Sequence, residues 1–268
     1  MSYELLVLDL DGTLTNSDKK ISPATREAIL EIQKNGKKIV LASGRPTQGI
    51  VSLGKELELA NYGGYILSYN GGRIIDCKNN ELIYNKEIPH DIIAPMLDIA
   101  RKYDVDIVTY TQDNIISGLK VNQYTQAESK INSMPIKSVD NFVDFIDFPV
   151  NKLLITGEGS IVANVQTEAK EKFHKFLNIY RSEPFFLEIM PQNIDKAFSL
   201  QKLLNSIGLT SNEMICCGDG YNDISMIEYA GLGVAMANAQ QAVLESADYI
   251  TKSNDDDGIL HVINEFMR

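Results

Sequence analysis

The chain has 268 residues, 44% of them hydrophobic and 23% charged, and its formal net charge at pH 7 is -11. An acidic surface of this kind repels nucleic acid and anionic membranes, so neither is predicted as a partner, although cations inside a cleft can still attract an anionic substrate. Three unevenly spaced cysteines argue against a disulfide framework and a zinc site, and the N-terminus has no signal-peptide pattern. A cytoplasmic location is therefore predicted.

The first third of the chain alternates between apolar runs and a helical segment. Ser22 is a suitable helix N-cap, Pro23 fits the first helical position, and Gly36 ends the helix. Short apolar runs on either side of this helix are typical of strands buried on both faces of a parallel sheet. They occupy residues 5–8, 38–42 and 65–67. This alternation predicts an α/β fold with a doubly wound parallel sheet.

The middle of the chain, residues 84–187, has a different pattern. It combines amphipathic helices with strand-like segments that alternate apolar and polar residues. The predicted helices cover 92–103 and 161–177, and the predicted strands include 106–110, 152–156 and 185–189. This mixture predicts an α/β domain with an antiparallel sheet, inserted into the chain.

The last third, residues 188–268, resumes the alternation of the first. Helices are predicted over 196–207 and 224–229, and strands at 214–217, 233–236 and 249–251. These elements fit one sheet shared with the first third. The predicted domains are therefore a doubly wound core of residues 1–83 and 188–268 and an insert of residues 84–187.

Two aspartates, Asp9 and Asp11, follow the first apolar run directly, and Gly12 after them permits a tight turn. Ligands of open α/β sheets bind outside the carboxyl ends of the strands, which is where these two carboxylates are predicted to lie. One carboxylate could bind a metal ion and attack a substrate while the other transfers a proton. Taken alone, the pattern is equally typical of an ordinary turn.

A second acidic cluster follows the apolar run 214–217. Asp219, Asn222 and Asp223 are predicted at the carboxyl end of that strand, where a helix begins. Together with Asp9 the cluster would form an oxygen-rich pocket, and oxygen ligands favour a hard cation such as Mg²⁺ over zinc. An acidic helix cap would account for one of these residues but not for both clusters.

Two weaker signals indicate an anion site. Ser43, Gly44 and Arg45 follow the second apolar run, and a serine hydroxyl together with the exposed N–H groups of a following helix can bind an anion. Lys196 begins a predicted helix, where its positive charge opposes the helix dipole. Each signal also has a simpler explanation, a strand-to-helix turn in the first case and a solvated side chain in the second.

These four segments, in this order, resemble the motifs of the haloacid dehalogenase superfamily, and the resemblance covers the whole chain. The Asp-x-Asp-Gly-Thr and Gly-Asp-x-x-Asn-Asp patterns are specific, whereas the serine and lysine motifs are convincing only together with them. The chain is most similar to the Cof-type branch of bacterial sugar-phosphate phosphatases, which carry a large C2-type cap between the second and third motifs. The resemblance implies a Rossmann-like core and an inserted α/β cap domain that selects the substrate.

The resemblance also implies a role for each matching residue. Asp9 is expected to be the nucleophile and Asp11 the general acid and base. Ser43 and Lys196 are expected to bind the phosphoryl group. The expected ligands of Mg²⁺ are Asp9, the backbone carbonyl of Asp11, Asp219 and, directly or just behind them, Asp223. The residues expected on the substrate or phosphate side are Gly44, Arg45, Asn70 and Asn222.

The predicted reaction is hydrolysis of small phosphomonoesters, sugar phosphates or related metabolites, through an aspartyl-phosphate intermediate. A phosphomutase of the same superfamily is an alternative, and it would need a bisphosphate activator. A phosphatase dedicated to one pathway is another. A non-catalytic phosphate-binding module is a third, although binding alone does not need a proton donor beside a nucleophile. The predicted partner is a small phosphorylated metabolite, and the chain is predicted to be a monomer or a homodimer.

Overall fold

The computed structural model describes residues 2–268, so Met1, with which the predicted core begins, lies outside the described part of the chain. The strands in that part are short. In chain order they are β1 (Leu5–Leu8), β2 (Lys38–Ala42), β3 (Tyr65–Ser68), β4 (Arg73–Asp76), β5 (Leu82–Asn85), β6 (Asp106–Tyr110), β7 (Ile115–Ser117), β8 (Ile136–Ser138), β9 (Leu153–Thr156), β10 (Leu177–Glu183), β11 (Phe186–Pro191), β12 (Met214–Gly218), β13 (Leu232–Ala235) and β14 (Tyr249–Ile250).

The helices alternate with these strands. They are α1 (Pro23–Lys34), α2 (Gln48–Glu56), α3 (Leu59–Tyr62), α4 (Ile93–Lys102), α5 (Gln123–Asn132), α6 (Phe142–Phe145), α7 (Gly159–Phe173), α8 (Lys196–Ile207), α9 (Ile224–Tyr229), α10 (Gln241–Ser246) and α11 (Gly258–Phe266). Among residues 2–268, none of the helices combines the length and the apolar character that crossing a bilayer requires.

The chain divides into two compact units, Met1–Tyr84 with Asp195–Arg268 and, between them in sequence, Asn85–Ile194. The predicted boundary after residue 187 is too early. It cuts through β11, which pairs antiparallel with both β9 and β10 and therefore belongs to the sheet of the second unit. The first unit resumes at Asp195, immediately before α8.

The first unit is built on an eight-stranded sheet in the order β14-β13-β12-β1-β2-β3-β4-β5. Neighbouring strands from β14 through β3 are parallel, and β4 runs antiparallel to β3. The interior strand β1 lies between β12 and β2, so that the carboxyl ends of these three strands meet at one edge of the sheet. The predicted α/β fold with a Rossmann-like, mainly parallel sheet is confirmed. The antiparallel strand β4 was not predicted.

All four residues of β1 are buried because apolar layers cover both faces of the sheet. Leu6 and Leu8 belong to the layer that includes residues of α1 and α11. Leu5 and Val7 point the other way, into the layer that includes residues of α8. Burial of each such side chain contributes roughly 1.5–3 kcal/mol, which is why an unbroken apolar run is stable as an interior strand here.

Helix α1 begins and ends near the predicted residues. The Ser22 hydroxyl accepts the N–H of Thr25 at 3.1 Å and caps the first turn. The helix is followed by Gly36 in a left-handed conformation, with φ of 92°. A capping hydroxyl of this kind stabilises a helix by about 1 kcal/mol.

The second unit has a six-stranded sheet in the order β10-β11-β9-β6-β7-β8. The first five strands pair antiparallel with their neighbours, and β8 pairs parallel with β7. An apolar cluster that includes residues of α4 and α7 packs on one face. The predicted helix over 161–177 is too long, because α7 ends at Phe173 and Leu177 already belongs to β10.

The opposite face of this second sheet carries buried polar side chains, because alternate residues of a strand point to opposite faces. Lys152 Nζ lies 2.9 Å from Glu188 Oε2, and both side chains are largely buried. Tyr110 donates its O–H to Glu128 at 2.6 Å. Lys152 also lies over the Tyr110 ring. One ion pair and one hydrogen-bonded pair of buried side chains therefore lie on this polar face of the second unit.

Candidate active site

Asp9 lies directly after β1 and is 7% exposed. Its N–H donates to the carbonyl of Cys217 at 3.0 Å, so the pairing of β1 with β12 continues as far as this residue. Its Oδ1 accepts from Lys196 Nζ at 2.7 Å. Lys196 is fully buried as the first residue of α8, which Asp195 caps. The predicted nucleophile and the predicted phosphate-binding lysine are therefore in direct contact.

Asp223 is the second partner of the buried lysine. Its Oδ1 accepts from Lys196 Nζ at 2.6 Å, and the lysine also donates to the carbonyl of Ala42 at 2.9 Å. The other oxygen, Oδ2, accepts the N–H groups of Asp219 at 3.1 Å and Gly220 at 2.9 Å. Asp223 therefore closes the turn after β12 and at the same time fixes the lysine.

Asp219 brings a third carboxylate to the same place. Thr13 Oγ1 donates to its Oδ1 at 2.7 Å. Gly12 has φ of 86°, and a side chain there would overlap the Asp219 carboxylate, so both the conformation and the space require glycine. One carboxylate oxygen from each of Asp9, Asp219 and Asp223 lies within 4.8 Å of the other two.

The charges of this cluster do not balance, since Lys196 pairs with two carboxylates, those of Asp9 and Asp223, and Asp219 adds a third beside them. Burial, together with the charge of Asp223, raises the pKa of Asp9 well above its usual range, and burial raises the pKa of Asp219 to about 6. Burial alone would lower the pKa of Lys196, but the charges of Asp223 and Asp9 outweigh it and keep the lysine protonated. Oxygen-only donors with excess negative charge fit a hard divalent cation such as Mg²⁺.

Asp11 points to a different set of partners. Arg45 donates to both of its carboxylate oxygens, from Nε to Oδ2 at 2.8 Å and from Nη2 to Oδ1 at 2.6 Å. Lys19 Nζ donates to Oδ1 at 2.9 Å. Burial alone would raise the pKa of Asp11, but Arg45 and Lys19 together hold it below its ordinary value. The side chain is therefore an ionised, bidentate partner of Arg45.

Four further predicted residues lie in loops and contact one another. Ser43 is buried, and its Oγ accepts the N–H of Arg45 at 3.2 Å. Asn222 Nδ2 donates to Asn70 Oδ1 at 3.1 Å. The Asn70 amide lies close against the Cα of Gly44, where a Cβ would come within 3.1 Å of it. The structure thus brings Ser43, Gly44, Asn70 and Asn222 into one continuous set of contacts.

Three residues of the site were not found from the sequence. Thr13 holds Asp219, Lys19 holds Asp11, and Asn238 donates its Nδ2 to the carbonyl of Gly12 at 2.8 Å. Thr13 stands inside the first motif and could have been considered as a hydrogen-bond donor to a neighbouring acidic loop. Neither Lys19 nor Asn238 belongs to a recognisable pattern, because their roles depend on loops whose backbone path the sequence does not specify.

The fold and the site define the class of the protein as an α/β enzyme with an acidic cluster at the carboxyl edge of a mainly parallel sheet. The family model described as haloacid dehalogenase-like hydrolase matches residues 6–263. The chain therefore belongs to the haloacid dehalogenase-like hydrolases. The resemblance stated from the sequence motifs is confirmed, and so is the assignment to an enzyme of the phosphatase type in this superfamily.

Three proteins similar to this chain match it over nearly their whole lengths. A crystal structure of a haloacid dehalogenase-like hydrolase from Bacteroides thetaiotaomicron is 47% identical, with a TM-score of 0.96 over 98% of this chain and 99% of that one. A sugar phosphatase of subclass IIB of the superfamily is 25% identical, with a TM-score of 0.80 over 98% of each chain. The 5-amino-6-(5-phospho-D-ribitylamino)uracil phosphatase YcsE of Bacillus subtilis is 31% identical over 100% of this chain and 97% of its own length.

Proposed function

We propose that the protein is a Mg²⁺-dependent phosphatase that hydrolyses small phosphomonoesters through an aspartyl-phosphate at Asp9. The observation that carries the proposal is the contact of Lys196 with Asp9 and Asp223, completely buried beside a third carboxylate at the carboxyl edge of the sheet. A buried ion cluster of this kind is costly for folding alone, whereas it suits a site that receives a phosphoryl group and a cation.

The first proposed step is attack by Asp9 on phosphorus. Lys196 holds Oδ1 of Asp9, so Oδ2 is the oxygen that we assign to the attack. A new bond forms between this oxygen and phosphorus while the bond from phosphorus to the ester oxygen breaks. The departing alkoxide takes a proton from Asp11. The Ser43 hydroxyl would bind a phosphoryl oxygen. Lys196 Nζ already donates to Asp9, Asp223 and the carbonyl of Ala42, so it would stabilise the charge of the phosphoryl group in the transition state as a fixed nearby positive charge.

The second proposed step releases phosphate. Water attacks phosphorus, the bond from phosphorus to Asp9 Oδ2 breaks, and the proton of the water passes to the carboxylate of Asp11. Inorganic phosphate leaves and Asp9 is regenerated. In the first step Asp11 must carry a proton, so its carboxyl group has to separate from Arg45. We propose that the anionic substrate attracts the Arg45 guanidinium and so frees this carboxyl group.

The proposed metal ligands are carboxylates of Asp9, Asp219 and Asp223 and the backbone carbonyl of Asp11. When bound, Mg²⁺ would offset the negative charge of both the carboxylates and the phosphoryl group. The turns that Thr13 and Asp223 hold in place would orient the ligands. Asn222 and Asn70 are proposed to lie beside the phosphoryl group together with Gly44.

The proposed substrate is a small phosphorylated metabolite, a sugar phosphate or a related ester. The names of the two similar phosphatases support this class, since both act on phosphate esters of polyhydroxylated molecules by those names. We propose that the second unit selects the substrate as a cap domain. Its polar face carries Lys152 paired with Glu188, which suits hydroxyl groups better than a second phosphate, because the lysine charge is already balanced.

The proposal is tested by measuring phosphate release from a panel of phosphorylated metabolites with and without Mg²⁺. Hexose phosphates, pentose phosphates and the phosphoribitylamino-uracil ester are the first three groups to compare. Release of free phosphate without a bisphosphate activator would also exclude the mutase alternative. Failure to release phosphate from every ester, with Mg²⁺ present, would contradict the proposed function.

Removal of the metal gives a specific prediction. Chelation by EDTA is expected to abolish phosphate release, and Mg²⁺ is expected to restore it. The Asp219→Asn variant is expected to need about 10–100 times more Mg²⁺ for half-maximal activity, because it loses one charged ligand. Asp113 is exposed in the second unit, and Asp113→Asn is the matched control. An unchanged Mg²⁺ requirement in Asp219→Asn would remove this residue from the proposed ligand set.

The role of Asp11 as proton donor gives a second prediction. Asp11→Asn is expected to reduce hydrolysis of alkyl phosphates by about 10²–10⁴-fold, because their leaving groups must be protonated. The reduction in the first step is expected to be much smaller for p-nitrophenyl phosphate, whose leaving group is stable as an anion. The burst of alcohol or p-nitrophenol released in a single turnover measures this first step, whereas the loss of Asp11 slows the second step equally for both substrates. Equal losses of the burst rate on the two substrates would mean that Asp11 does not protonate the leaving group.

A further inference from the structure

A strained turn in the first unit contains Asn70, but the backbone of this turn has no role in the reaction steps above. Tyr69, Asn70 and Gly71 follow β3 and have left-handed backbone conformations, with φ of 54°, 51° and 101°. Two consecutive residues with side chains in this region are uncommon, because the Cβ of an L-residue crowds the backbone there. Backbone strain persists only where the surrounding contacts impose it, so these contacts indicate what the turn does.

The turn binds the loop that carries Ser43. The N–H of Tyr69 donates to the carbonyl of Arg45 at 3.0 Å, and the N–H of Asn70 donates to the carbonyl of Ser43 at 3.0 Å. In an extended strand, successive N–H groups point in opposite directions and could not both reach one neighbouring loop. The left-handed conformation is therefore what lets two successive N–H groups hold the same loop.

The turn also binds the helix that carries Lys196. Ser199 is fully buried three residues after Lys196 in α8, and its Oγ–H donates to the carbonyl of Gly71 at 2.5 Å. A Cβ at Gly71 would lie 2.5 Å from the carbonyl oxygen of Asp195 and 2.6 Å from Ser199 Oγ. The close approach leaves no space for a side chain, so the turn packs directly on the first turn of α8.

These contacts connect groups that the sequence places far apart. The loop at Ser43 and the helix at Lys196 both have to meet the same phosphoryl group in the proposed reaction. The loop is fixed to the turn by backbone hydrogen bonds, and the helix is fixed to it through Ser199. A displacement of about 1 Å between catalytic groups can reduce a rate by about 10²-fold.

We propose that the turn Tyr69–Gly71 is a positioning element that sets the distance between Ser43 and Lys196, and that Ser199 and Gly71 are positioning residues. Neither Ser199 nor Gly71 touches the reacting atoms. The inference rests on the proposed phosphatase function, because it is for a phosphoryl group that this distance is set. Asn70 connects the same turn to Asn222 through its side chain.

Ser199→Ala tests the inference, and Ser206→Ala is its matched control. Ser206 lies on the same helix and donates its hydroxyl to the carbonyl of Leu203 at 2.7 Å, within the helix itself. Both variants therefore lose one hydrogen bond from a serine hydroxyl to a backbone carbonyl. Only in Ser199→Ala is the lost hydrogen bond one that connects α8 with the turn. Gly71→Ala is the second test variant, because its added methyl group displaces the turn without removing any hydroxyl group from the protein.

The rates are measured on p-nitrophenyl phosphate with saturating Mg²⁺, well below the melting temperature of each variant. Ser199→Ala is expected to lower kcat about tenfold and to weaken inhibition by inorganic phosphate, whereas Ser206→Ala stays within about twofold of the wild type. Gly71→Ala is expected to lose more activity than Ser199→Ala.

If Ser199 had a purely structural role, Ser199→Ala would have a lower melting temperature, but kcat and phosphate inhibition of the folded enzyme would be unchanged. That result would overturn the inference. Equal losses of kcat in Ser199→Ala and Ser206→Ala would overturn it too. If the wild type releases no phosphate, the proposed function fails first and the inference fails with it. An active wild type with a fully active Ser199→Ala variant contradicts the inference alone.

Discussion

The Asp9→Asn variant is expected to release phosphate from any ester at least about 10⁴-fold more slowly than the wild type. An amide cannot form the acyl-phosphate, because its nitrogen and oxygen are poor nucleophiles compared with a carboxylate. The variant should nevertheless fold, since Lys196 keeps Asp223 as a partner and one buried charge is removed from a cluster with excess negative charge. An inactive but folded Asp9→Asn variant would show that the activity is lost because the nucleophile is missing and not because the protein is unfolded.

The measurement is phosphate release, combined with a trapping experiment. Wild-type protein quenched in acid during turnover should carry one phosphoryl group on Asp9, detectable by mass spectrometry of the peptide, and Asp9→Asn should carry none. Asp18→Asn is the matched control, because Asp18 is exposed in the same N-terminal segment. Turnover by Asp9→Asn close to the wild-type rate would refute the nucleophile assignment, whatever the state of the other residues.

The fold could be predicted where one physical signal dominates. The bounds predicted for β1 and β2 match the structure, because strands covered on both faces need an apolar residue at every position. Helix α8 has the range predicted for it, and the structure shows that Asp195 caps its start and Gly208, in a left-handed conformation, ends it. Strand β10 was not predicted, because Leu177 continues the apolar spacing of α7 and only its pairing with β11 decides between helix and strand.

The part of the candidate site that lies directly at the ends of strands could be predicted from the sequence. A parallel sheet places the ends of β1, β2 and β12 together, so the meeting of Asp9 with Asp223 and Asp219 follows from topology. The contact of Arg45 with Asp11 could not be predicted in this way. It depends on the path of a long side chain and on the loop that brings Lys19 to the same carboxylate.

Asp11 and Lys196 are held in opposite ways, and the difference has a functional consequence. Asp11 is bound by two cations near the surface, and 37% of its side chain is exposed, so its partners can exchange when an anion arrives. Lys196 is bound by two carboxylates and has no exposed surface, so it cannot exchange without opening the fold. The first arrangement suits a group that must gain and lose a proton, and the second suits a fixed positive charge.

The Lys196→Met variant is therefore expected to lose most of its activity and part of its stability. Removing one partner of a buried ion pair costs about 3–5 kcal/mol, because Asp9 and Asp223 remain buried without a counter-charge. The activity is expected to fall by about 10²–10³-fold, as when one stabilising donor is lost from a transition state. Lys202→Met is the matched control, since Lys202 is exposed on the same helix and should change the free energy of unfolding by less than about 1 kcal/mol.

The instability of Lys196→Met is expected to depend on pH, on Asp223 and on Mg²⁺. The charge of Lys196 lowers the pKa of Asp9, so without the lysine this pKa rises further above that of the unfolded chain. The folded state then binds more protons, and its stability falls as the pH increases. Urea unfolding should therefore show a larger loss at about pH 8 than at about pH 5. The added substitution Asp223→Asn should recover part of the loss, because it removes one uncompensated charge, and Mg²⁺ should do the same if these carboxylates bind it. A variant as stable as the wild type at both pH values, with no response to either change, would show that the buried cluster is not held together by this lysine.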